Sequence, residues 1–332
     1  MRVGINEACF RHDPGRAHPD RRGRLEILRD ALAERPSVEL VEPAAASRAE
    51  VERVHDPDYL DRLLAFIDGG GGAWDPDTVA SAATWEAALG AAGLATWASH
   101  RALETVPGAA TPFALARPPG HHAMYDDAMG FCFVNNVAVG AASLLAETSA
   151  ERVGILDWDV HHANGTEQFV IETPGTALVS VHERGLYPGT GTFRGETHER
   201  ALNVPLPTDL GDGAYLHVFE ATAVAAMRRF DPDVVLVSCG FDAVASDVLA
   251  SQQLTPDGYG LLTDAVCRLG RELDCGVGFV LEGGYAIDAL APCAAALADA
   301  VAGDVPARPA YEPETELEDV VDRARVHPLI DA

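Results

Sequence analysis

Short apolar runs alternate with longer helical stretches along this sequence, and this alternation limits the possible folds more than any other feature. The runs are rich in β-branched or other apolar side chains, which predicts buried strands at residues 112–116, 152–157, 177–181, 234–239 and 277–281. Between them lie stretches typical of helices, at residues 78–104, 136–147, 213–229 and 256–272. Strands that alternate with helices predict a single-domain α/β fold, in which helices cover both faces of a mostly parallel central sheet.

One domain is expected over residues 1–305, followed by an acidic tail or helix over residues 306–332. The glycine run at residues 69–72 predicts a loop between two helices and not a domain boundary. The sequence contains no uninterrupted apolar run of the roughly 18 residues that a membrane-spanning helix needs. Residues 1–10 also lack the layout of a signal peptide. We therefore expect a cytoplasmic protein that does not bind a membrane.

The charge balance is strongly acidic. There are 51 Asp and Glu residues against 24 basic residues, all of them arginine, and the formal net charge is −27. Such a surface repels nucleic acid, so direct nucleic-acid binding is not expected. It also repels itself in dilute buffer, whereas at about 1 M salt the screening length falls to about 3 Å. The pattern resembles that of proteins from salt-loving archaea, and we expect a haloarchaeal, halophilic protein; an acidic protein without a salt requirement is the alternative.

Polar clusters follow each of the five predicted strands. They occupy residues 117–122, 157–162, 180–182, 240–242 and 282–285. Because ligands bind beyond the carboxyl ends of the strands in open α/β sheets, we expect the five clusters to converge on one pocket.

Asp159 and His161 are separated by a single residue, and on an extended strand end this spacing places both side chains on the same face. Asp242 follows another predicted strand and would complete a set of one histidine and two carboxylates. Three protein ligands with one open coordination position are typical of a catalytic zinc site. An isolated Asp-x-His segment is as often a surface turn, so the ligand from a second strand is what favours a metal site.

His121 and His122 follow a Pro-Pro-Gly segment that fixes the backbone. Adjacent histidines on a rigid loop are suited to general acid–base chemistry, because their ordinary pKa lies near neutrality. Tyr285 follows Gly283 and Gly284, and a phenol on such a hinge can donate a hydrogen bond to an oxyanion. Each segment alone also occurs in ordinary turns, and their joint occurrence favours an active site.

These segments resemble the histone deacetylase and acetylpolyamine amidohydrolase superfamily. The matching segments follow the family's order and begin at Arg117 (RPPGHHA), Gly130 (GFCFVNN), Leu156 (LDWDVHHANGT), Tyr187 (YPGTG), Gly240 (GFD) and Leu281 (LEGGY). Asn164 and the LEGGY segment resemble the class II branch and the bacterial and archaeal members. The resemblance implies the arginase/deacetylase-like form of the α/β fold, with residues 1–305 as the catalytic domain.

The resemblance implies a metal-dependent amide hydrolase that removes acetyl or other acyl groups from acetyl-lysine or a related acylated amine. Asp159, His161 and Asp242 would bind Zn²⁺, or Fe²⁺ as in some relatives, and the metal would activate the attacking water. His122 would act first as general base and then as general acid for the leaving amine.

Four further residues receive catalytic roles from the resemblance. His121 would give electrostatic support while it donates a hydrogen bond to Asp157. Asn164 would accept a hydrogen bond from His122 and so orient its imidazole ring. Tyr285 would stabilise the tetrahedral intermediate.

The resemblance also implies a narrow tunnel for the acylated chain and a site for a structural K⁺. Phe131 would form one wall, and Tyr187 lies opposite it where many relatives have phenylalanine. The other predicted tunnel residues are Gly130, Leu249, Gly283 and Gly284. The predicted K⁺ ligands are the side chains of Asp157 and Ser180 and the backbone carbonyls of Asp159, His161 and Val181.

The amine that carries the acyl group separates two alternatives within the family. The eukaryotic polyamine branch has a glutamate seven residues after the third metal ligand, where this chain has Leu249. The apolar residue favours acetyl-lysine or a general acylated amine. Asp75 and Asp77 are expected near the tunnel mouth, where they could bind either a substrate amide or a polyamine cation. Acetylpolyamine amidohydrolase activity is therefore the alternative.

Two remote alternatives come from other functional classes. Binuclear manganese ureohydrolases need additional carboxylates at positions that are Ala163 and Val244 here, which disfavours a second metal. A non-catalytic binding module would be expected to lack a metal ligand, a catalytic histidine or the tyrosine, and all of these are present. Two metal ions per chain would indicate the ureohydrolase, and the absence of turnover would indicate the binding module.

The charge excess predicts that stability rises with potassium chloride into the molar range, because salt screens the repulsion among acidic side chains. Thermal unfolding at increasing potassium chloride measures this effect, and a parallel series in tetramethylammonium chloride separates screening from binding of K⁺. A melting temperature that is highest in dilute buffer would contradict the halophilic interpretation.

Overall fold

An eight-stranded sheet forms the core of the computed structural model, which describes residues 1–108, 110–193 and 198–331. All neighbouring strands in the sheet run parallel. Its strands are β1 (Arg2–Gly4), β2 (Glu39–Val41), β5 (Pro112–Ala114), β6 (Val153–Asp157), β7 (Thr176–Glu183), β8 (Ala201–Leu206), β9 (Val234–Cys239) and β10 (Gly276–Leu281). Their order across the sheet is β2-β1-β5-β10-β9-β6-β7-β8. Two further strands, β3 (Gly72–Ala73) and β4 (Val79–Ala80), pair as a small antiparallel hairpin.

The helices in the described part of the chain surround this sheet. They are α1 (Glu7–Arg11), α2 (Gly23–Ala33), α3 (Arg48–Val51), α4 (Pro57–Asp68), α5 (Thr84–Leu103), α6 (Asn136–Glu147), α7 (Asn164–Glu172), α8 (Asp212–Phe219), α9 (Ala225–Phe230), α10 (Pro256–Leu273), α11 (Ile287–Ala302) and α12 (Thr315–Arg325). A π-helical turn, Glu220–Val224, joins α8 to α9. None of these helices has the length and apolarity required to cross a membrane.

Helices cover both faces of the sheet, and the residues of β10 show how the helices pack on each face. Gly276 and Gly278 point to one face, where an added Cβ would press against Ala102 of α5. Val277 points to the opposite face and lies against Gly270 of α10. The two strand glycines therefore let α5 approach the sheet closely. The predicted single-domain α/β fold with a parallel central sheet is confirmed.

Five neighbouring strands, β5, β10, β9, β6 and β7, lead into the five polar clusters. Because they are parallel, their carboxyl ends meet at the same edge of the sheet. β6, β7, β9 and β10 are buried along their whole length. The polar residues just beyond these strands are therefore the ones that can meet a ligand.

The helix predicted over residues 78–104 begins later than expected. α5 starts at Thr84, because β4 and a turn precede it, and in that turn Thr84 Oγ1 accepts a hydrogen bond from Ser81 N–H at 2.7 Å. The glycine loop at residues 69–72 consequently leads from α4 into the β3–β4 hairpin and not into a second helix.

Three strands of the sheet, β1, β2 and β8, are missing from the sequence prediction. β1 and β2 have three residues each, which is too short for a periodic pattern. Asn203 and Pro205 interrupt the apolar run of β8. Pairing with β7 along six residues compensates for this weak local preference.

The C-terminal segment ends in α12, which lies against the edge of the sheet. Leu317, Val320 and Val321 are buried on one side of the helix, and it packs on β8 and α8. The acidic side chains of α12 face solvent, so this helix extends the core at the β8 edge.

Candidate active site

Three side chains at the carboxyl edge of the sheet form a buried group that can hold a metal ion. Asp159 and His161 follow β6, and Asp242 follows the neighbouring β9. One ligand atom of each residue lies within 4.8 Å of those of the other two. Both carboxylates are fully buried, and His161 is 9% exposed. The structure thus brings together the three predicted metal ligands, while Ala163 and Val244 supply no carboxylate for a second metal.

Backbone amides orient the two carboxylates. Val160 N–H donates to Asp242 Oδ1 at 2.9 Å, and Gly283 N–H donates to Asp159 Oδ2 at 2.8 Å. Asp242 Oδ2 is buried and lies 3.2 Å from His161 Nδ1 without hydrogen-bond geometry. Burial, together with the nearby Asp159 carboxylate, raises the pKa of Asp242 to about 7. A divalent cation would relieve this repulsion, and the donor set of two carboxylates and one imidazole fits zinc or iron.

Two glycines leave the space that these carboxylates occupy. A Cβ atom at Gly240 would collide with the side chain of Asp159, and one at Gly283 would collide with those of Asp159 and Asp242. The close packing explains why glycine occupies both positions in the Gly-Phe-Asp and Leu-Glu-Gly-Gly-Tyr segments.

His121 and His122 lie beside this group, on the loop after β5. His121 Nδ1 is 3.1 Å from Asp157 Oδ2, and His122 Nδ1 is 2.7 Å from Asn164 Oδ1. The Asn164 amide nitrogen faces acceptors, namely the His122 carbonyl oxygen and two methionine sulfurs. Because the amide oxygen therefore points to His122, Nδ1 of this histidine carries the hydrogen and Nε2 is left as the basic nitrogen.

The two histidines differ in charge. Burial would lower the pKa of His121, but the carboxylates of Asp159 and Asp157 outweigh it and raise that pKa to about 10. The pKa of His122 is lowered well below its ordinary value, first by burial and then by the neighbouring His121 and His161. Near neutral pH, His121 is therefore protonated and His122 is neutral, which places a cation beside an imidazole that can accept a proton.

Tyr285 lies between Phe131 and Arg24 on the opposite side of the group. Its ring meets that of Phe131 edge to face, with 5.6 Å between centroids, and the Arg24 guanidinium lies 4.7 Å from its centroid. Burial raises the pKa of the Tyr285 hydroxyl well above its ordinary value, although the Arg24 charge opposes this. The hydroxyl therefore keeps its proton and can donate a hydrogen bond.

A cavity of about 200 Å³ leads to these side chains. The predicted tunnel residues in its wall are Gly130, Phe131, Tyr187 and Leu249. The remaining lining residues are Asp77, Pro119, His121, His122, His161 and Tyr285. The cavity therefore connects the surface to the metal-binding group and to both histidines.

Gly283 and Gly284, which we also predicted in the tunnel, do not line this cavity. Gly283 lies against the metal-binding carboxylates of Asp159 and Asp242, and Gly284 packs on Phe241 with a φ of 111°. Their function is to allow close packing behind the ligands, so their assignment to the tunnel is corrected.

The turn at Gly130 and Phe131 has left-handed backbone, with φ values of 57° and 68°. A Cβ at Gly130 would collide with the rings of His122 and Tyr187, which explains the glycine. The left-handed φ is uncommon for phenylalanine. A hydrogen bond from Phe131 N–H to Thr78 Oγ1, at 3.1 Å, holds the turn so that the ring lines the cavity.

Asp157 and Ser180, the side chains predicted to bind K⁺, are paired in register on β6 and β7. Ser180 Oγ lies 2.9 Å from His182 Nδ1. The predicted carbonyl ligand Val181 accepts a hydrogen bond from the Tyr215 hydroxyl at 3.2 Å, which leaves one lone pair of this oxygen free. The ends of β6 and β7 thus bring the Asp157 and Ser180 side chains into the same register.

A buried cluster of two arginines and one aspartate supports the site, and the sequence analysis did not identify it. Arg24 donates to the carbonyl oxygens of Glu282 and Gly284, both at 2.6 Å, and pairs with Asp20 at 2.6 Å. Arg117 also pairs with Asp20, at 3.2 Å. All three ionic side chains are fully buried. The sequence indicates this cluster only through the i,i+4 spacing of Asp20 and Arg24, and the same spacing is typical of ion pairs on a helix surface.

Glu282 is a second supporting residue that the sequence analysis missed. Its Oε2 accepts hydrogen bonds from the N–H groups of Gly120 and His121, at 2.6 and 3.1 Å, and Oε1 lies 3.4 Å from Ser238 Oγ. Burial raises the pKa of this carboxyl to about 7. The side chain ties the histidine loop to the end of β10. A charged residue directly after a fully apolar strand is the signal that could have identified it.

The chain is similar to known proteins over most of its length. The family model described as Histone deacetylase domain matches residues 18–301. A probable deacetylase of Archaeoglobus fulgidus is 34% identical over 302 residues, which is 87% of this chain and 82% of that protein. A histone deacetylase-like amidohydrolase of Pseudomonas aeruginosa is 35% identical over 294 residues, 86% of this chain and 76% of that protein. The crystal structure of the HDA15 HD domain matches with a TM-score of 0.87 at 30% identity, over 99% of this chain and 94% of that one.

Arg24→Leu is expected to lower the free energy of unfolding by about 3–5 kcal/mol, because it breaks a buried ion pair and removes the donor of two buried carbonyls. Chemical denaturation at constant salt measures the loss. Arg228→Leu is the matched control, since its pair with Glu272 lies at the surface, where water and salt screen it, and its loss should be much smaller. Equal losses in the two variants would contradict a supporting function of the buried cluster.

Proposed function

The chain belongs to the histone deacetylase family, and on this basis we propose that it is a zinc-dependent deacetylase. The proposed reaction is hydrolysis of the amide bond of acetyl-lysine or a related acylated amine. The observation that carries the proposal is the buried group of Asp159, His161 and Asp242 at the inner end of a cavity that also holds two histidines and a tyrosine. The relatives described as a probable deacetylase and a deacetylase-like amidohydrolase support this class of reaction.

Asp159, His161 and Asp242 would hold the metal, for which we propose Zn²⁺ with Fe²⁺ as the alternative. A metal ion there would polarise the acyl carbonyl and lower the pKa of the attacking water molecule. Two observations support a cation at this place. Asp242 Oδ2 has no hydrogen-bond partner among the described residues, and two buried carboxylates repel each other across the group.

His122 is proposed as the general base and then the general acid. Because Nδ1 donates to Asn164, Nε2 has a free lone pair that can take a proton from the attacking water. The low pKa keeps His122 neutral before the reaction, and it makes the protonated form a strong acid that can pass the proton to the leaving nitrogen. His121, protonated and paired with Asp157, adds positive charge beside the reacting group.

Tyr285 is proposed to donate a hydrogen bond to the carbonyl oxygen as that oxygen gains negative charge. Its raised pKa supports this, since the hydroxyl stays protonated at neutral pH. Phe131 and Arg24 pack on the ring and limit its movement. A phenol held in this way needs little reorganisation when the charge develops.

We also propose a K⁺ ion at Asp157, Ser180 and the three predicted backbone carbonyls. Burial lowers the pKa of His182 to about 3, so this histidine is neutral. Because the Gly191 carbonyl can only accept, Nε2 of His182 carries the hydrogen and Nδ1 accepts from the Ser180 hydroxyl. The Ser180 oxygen thereby keeps its lone pairs for Ala163 N–H and for a cation.

The proposed substrate is an acetyl-lysine side chain or a similar extended acylated amine. Leu249 lines the cavity and offers no charge to attract a polyamine. Asp77 also lines it and is the one feature that favours an acetylpolyamine instead. Asp75 binds the backbone of the next residues, since its Oδ1 accepts hydrogen bonds from the N–H groups of Asp77 and Thr78 at 3.0 and 2.5 Å. Asp77 is therefore the one of these two carboxylates that lines the cavity.

The charge excess supports the further proposal that the protein works in the cytoplasm of a haloarchaeal cell. A net charge of −27 with arginine as the one basic residue type suits a salt-rich interior. Potassium chloride would both screen this charge and supply the proposed K⁺.

Removal of the metal is expected to abolish hydrolysis of an acetyl-lysine peptide, because no other group described near the cavity can polarise the carbonyl as strongly. Addition of zinc or ferrous ion should restore turnover at a stoichiometry of one ion per chain. Activity assays with elemental analysis, after exhaustive chelation in molar potassium chloride, measure both. Full activity in a metal-free sample would refute the proposed function.

Two variants test the proposed catalytic residues, and a third variant serves as their control. His122→Ala should bind metal as the wild type does and lose nearly all turnover. Tyr285→Phe should lose about 10²–10³-fold in kcat, the usual effect of one oxyanion donor. Tyr311→Phe, on the C-terminal segment far from the cavity, should retain the wild-type rate.

Substrate choice gives a separate prediction. The kcat/KM for an acetyl-lysine peptide should equal or exceed that for acetylated spermidine or putrescine, and Leu249→Glu should shift the ratio toward the polyamines. Leu249→Met, which adds no charge, should leave the ratio unchanged. A tenfold wild-type preference for acetylpolyamines, about 1.4 kcal/mol of differential transition-state binding, would show that Asp77 outweighs the apolar residue.

A further inference from the structure

We propose that Asp247 is a positioning residue that fixes Tyr285 and Leu249 relative to each other. This inference rests on the proposed function, in which Tyr285 donates to the carbonyl oxygen and Leu249 contacts the acylated chain. Asp247 does not line the cavity, and its carboxylate is bound to the backbone of the segments that carry these two residues.

The Asp247 carboxylate joins two loops that come from neighbouring strands. Oδ1 accepts a hydrogen bond from Leu249 N–H at 3.0 Å, on the loop after β9. Oδ2 accepts hydrogen bonds from the N–H groups of Tyr285 and Ala286, at 2.6 and 3.0 Å, on the loop after β10. One side chain therefore binds the backbone of a tunnel residue and the backbone of the tyrosine.

The burial of Asp247 differs from that of its neighbours. Asp247 is 7% exposed, whereas Val248 beside it is 79% exposed and Ser246 is also exposed. An aspartate that turns inward from an otherwise exposed loop loses hydration, and the three N–H groups compensate for that loss. At the start of this loop, Phe241 N–H donates to the Gly283 carbonyl oxygen at 3.0 Å, and the Asp247 carboxylate adds a second buried attachment next to Leu249.

The donors around Asp247 make the carboxylate hard to replace. Both of its oxygens face N–H groups, so both must accept. Asparagine has the same shape but presents an NH₂ group on one side, which would face a backbone N–H donor. Asp247→Asn therefore breaks the attachment to one of the two loops, whichever way the amide turns.

Two properties of the enzyme follow from this shared attachment. The position of Tyr285 sets the stabilisation of the oxyanion, and therefore kcat, whereas the position of Leu249 sets the fit of the acylated chain, and therefore KM. Because one side chain holds both, a side chain that loses one partner can also shift against the other, so loss of either attachment should disturb both parameters.

The test compares Asp247→Asn with Asp233→Asn in molar potassium chloride. Asp233 Oδ2 accepts from two backbone N–H groups, those of Glu151 and Arg152, both at 2.8 Å, at the opposite end of the sheet. One oxygen makes both bonds, so asparagine can keep them. Asp233→Asn removes the same charge from the same kind of contact and should keep the wild-type kcat and KM.

For Asp247→Asn we expect wild-type zinc content, a fall in kcat of up to about 10²-fold and a raised KM for an acetyl-lysine peptide. Hydrogen exchange should become faster at the amides of Leu249, Tyr285 and Ala286, while it stays slow elsewhere in the core. Asp247→Glu, which keeps two acceptors, should recover part of kcat. Wild-type kcat and KM in the asparagine variant, or unchanged exchange at these amides, would overturn the proposal.

Hydrogen exchange in the wild type keeps the proposal testable if Asp247→Asn does not fold. The amides of Leu249, Tyr285 and Ala286 should then be protected in the native protein, and rapid exchange at Leu249 would overturn the proposal. Exchange does not depend on turnover. If the wild type hydrolyses no acylated amine, the proposed function fails, while the protection of these amides still decides whether Asp247 joins the two loops.

Discussion

The site depends above all on the burial of two carboxylates that share one imidazole, since His161 Nδ1 lies 3.0 Å from Asp159 Oδ1 and 3.2 Å from Asp242 Oδ2. Asp159 and Asp242 are both fully buried, and this burial, together with the nearby Asp159 charge, raises the pKa of Asp242 to about 7. Removing two such groups from water is costly unless they are paired or bind a metal. The parallel strand ends supply backbone N–H donors to each carboxylate, and glycines at positions 240 and 283 leave the room they need. If the proposed metal binds there, its binding and the stability of this edge of the sheet are linked, because the ion would pair with both buried carboxylates.

A second layer of charge surrounds this group and comes from distant parts of the sequence. Arg24 lies on α2, more than 250 residues before the carbonyls of Glu282 and Gly284 that it binds. Glu282 in turn holds the backbone of the histidine loop, and Asp20 joins Arg24 to Arg117. Each of these buried ions has a partner of opposite charge or several donors, which is the condition under which charge can be kept inside a protein. The layer thus connects the N-terminal segment, the histidine loop and the tyrosine segment into one rigid frame.

Local sequence patterns predicted the fold class and most of the strands that lead into the site, because a buried parallel strand is a short apolar run that needs no distant information. The strand over Val234–Cys239 and the helix over Asn136–Glu147 match their predicted limits for this reason. The predicted start of α5 was wrong, because a turn held by Thr84 overrides the helix preference of the residues before it. Arg24, Glu282 and Asp247 received no role from the sequence, because each binds backbone atoms of a segment that is distant along the chain. The i,i+4 spacing of Asp20 and Arg24 and the position of Glu282 directly after a strand are signals, but they do not identify these partners. The prediction placed Gly283 and Gly284 in the tunnel wall. It was wrong because a sequence shows where a glycine lies but not which atoms pack against it.

The strand order has a consequence for how the protein is made. β5 and β6 are successive among the central strands of the sequence, yet β10 and β9 lie between them in the sheet. At the usual spacing, β5 and β6 are therefore roughly 14 Å apart. While a ribosome is still producing the first two thirds of the chain, both strands have an unpaired inner edge, and neither Asp242 nor Tyr285 has been synthesised. The centre of the sheet is filled by the last strands to emerge, so the nascent protein must keep two apolar edges from aggregating until its C-terminal third arrives.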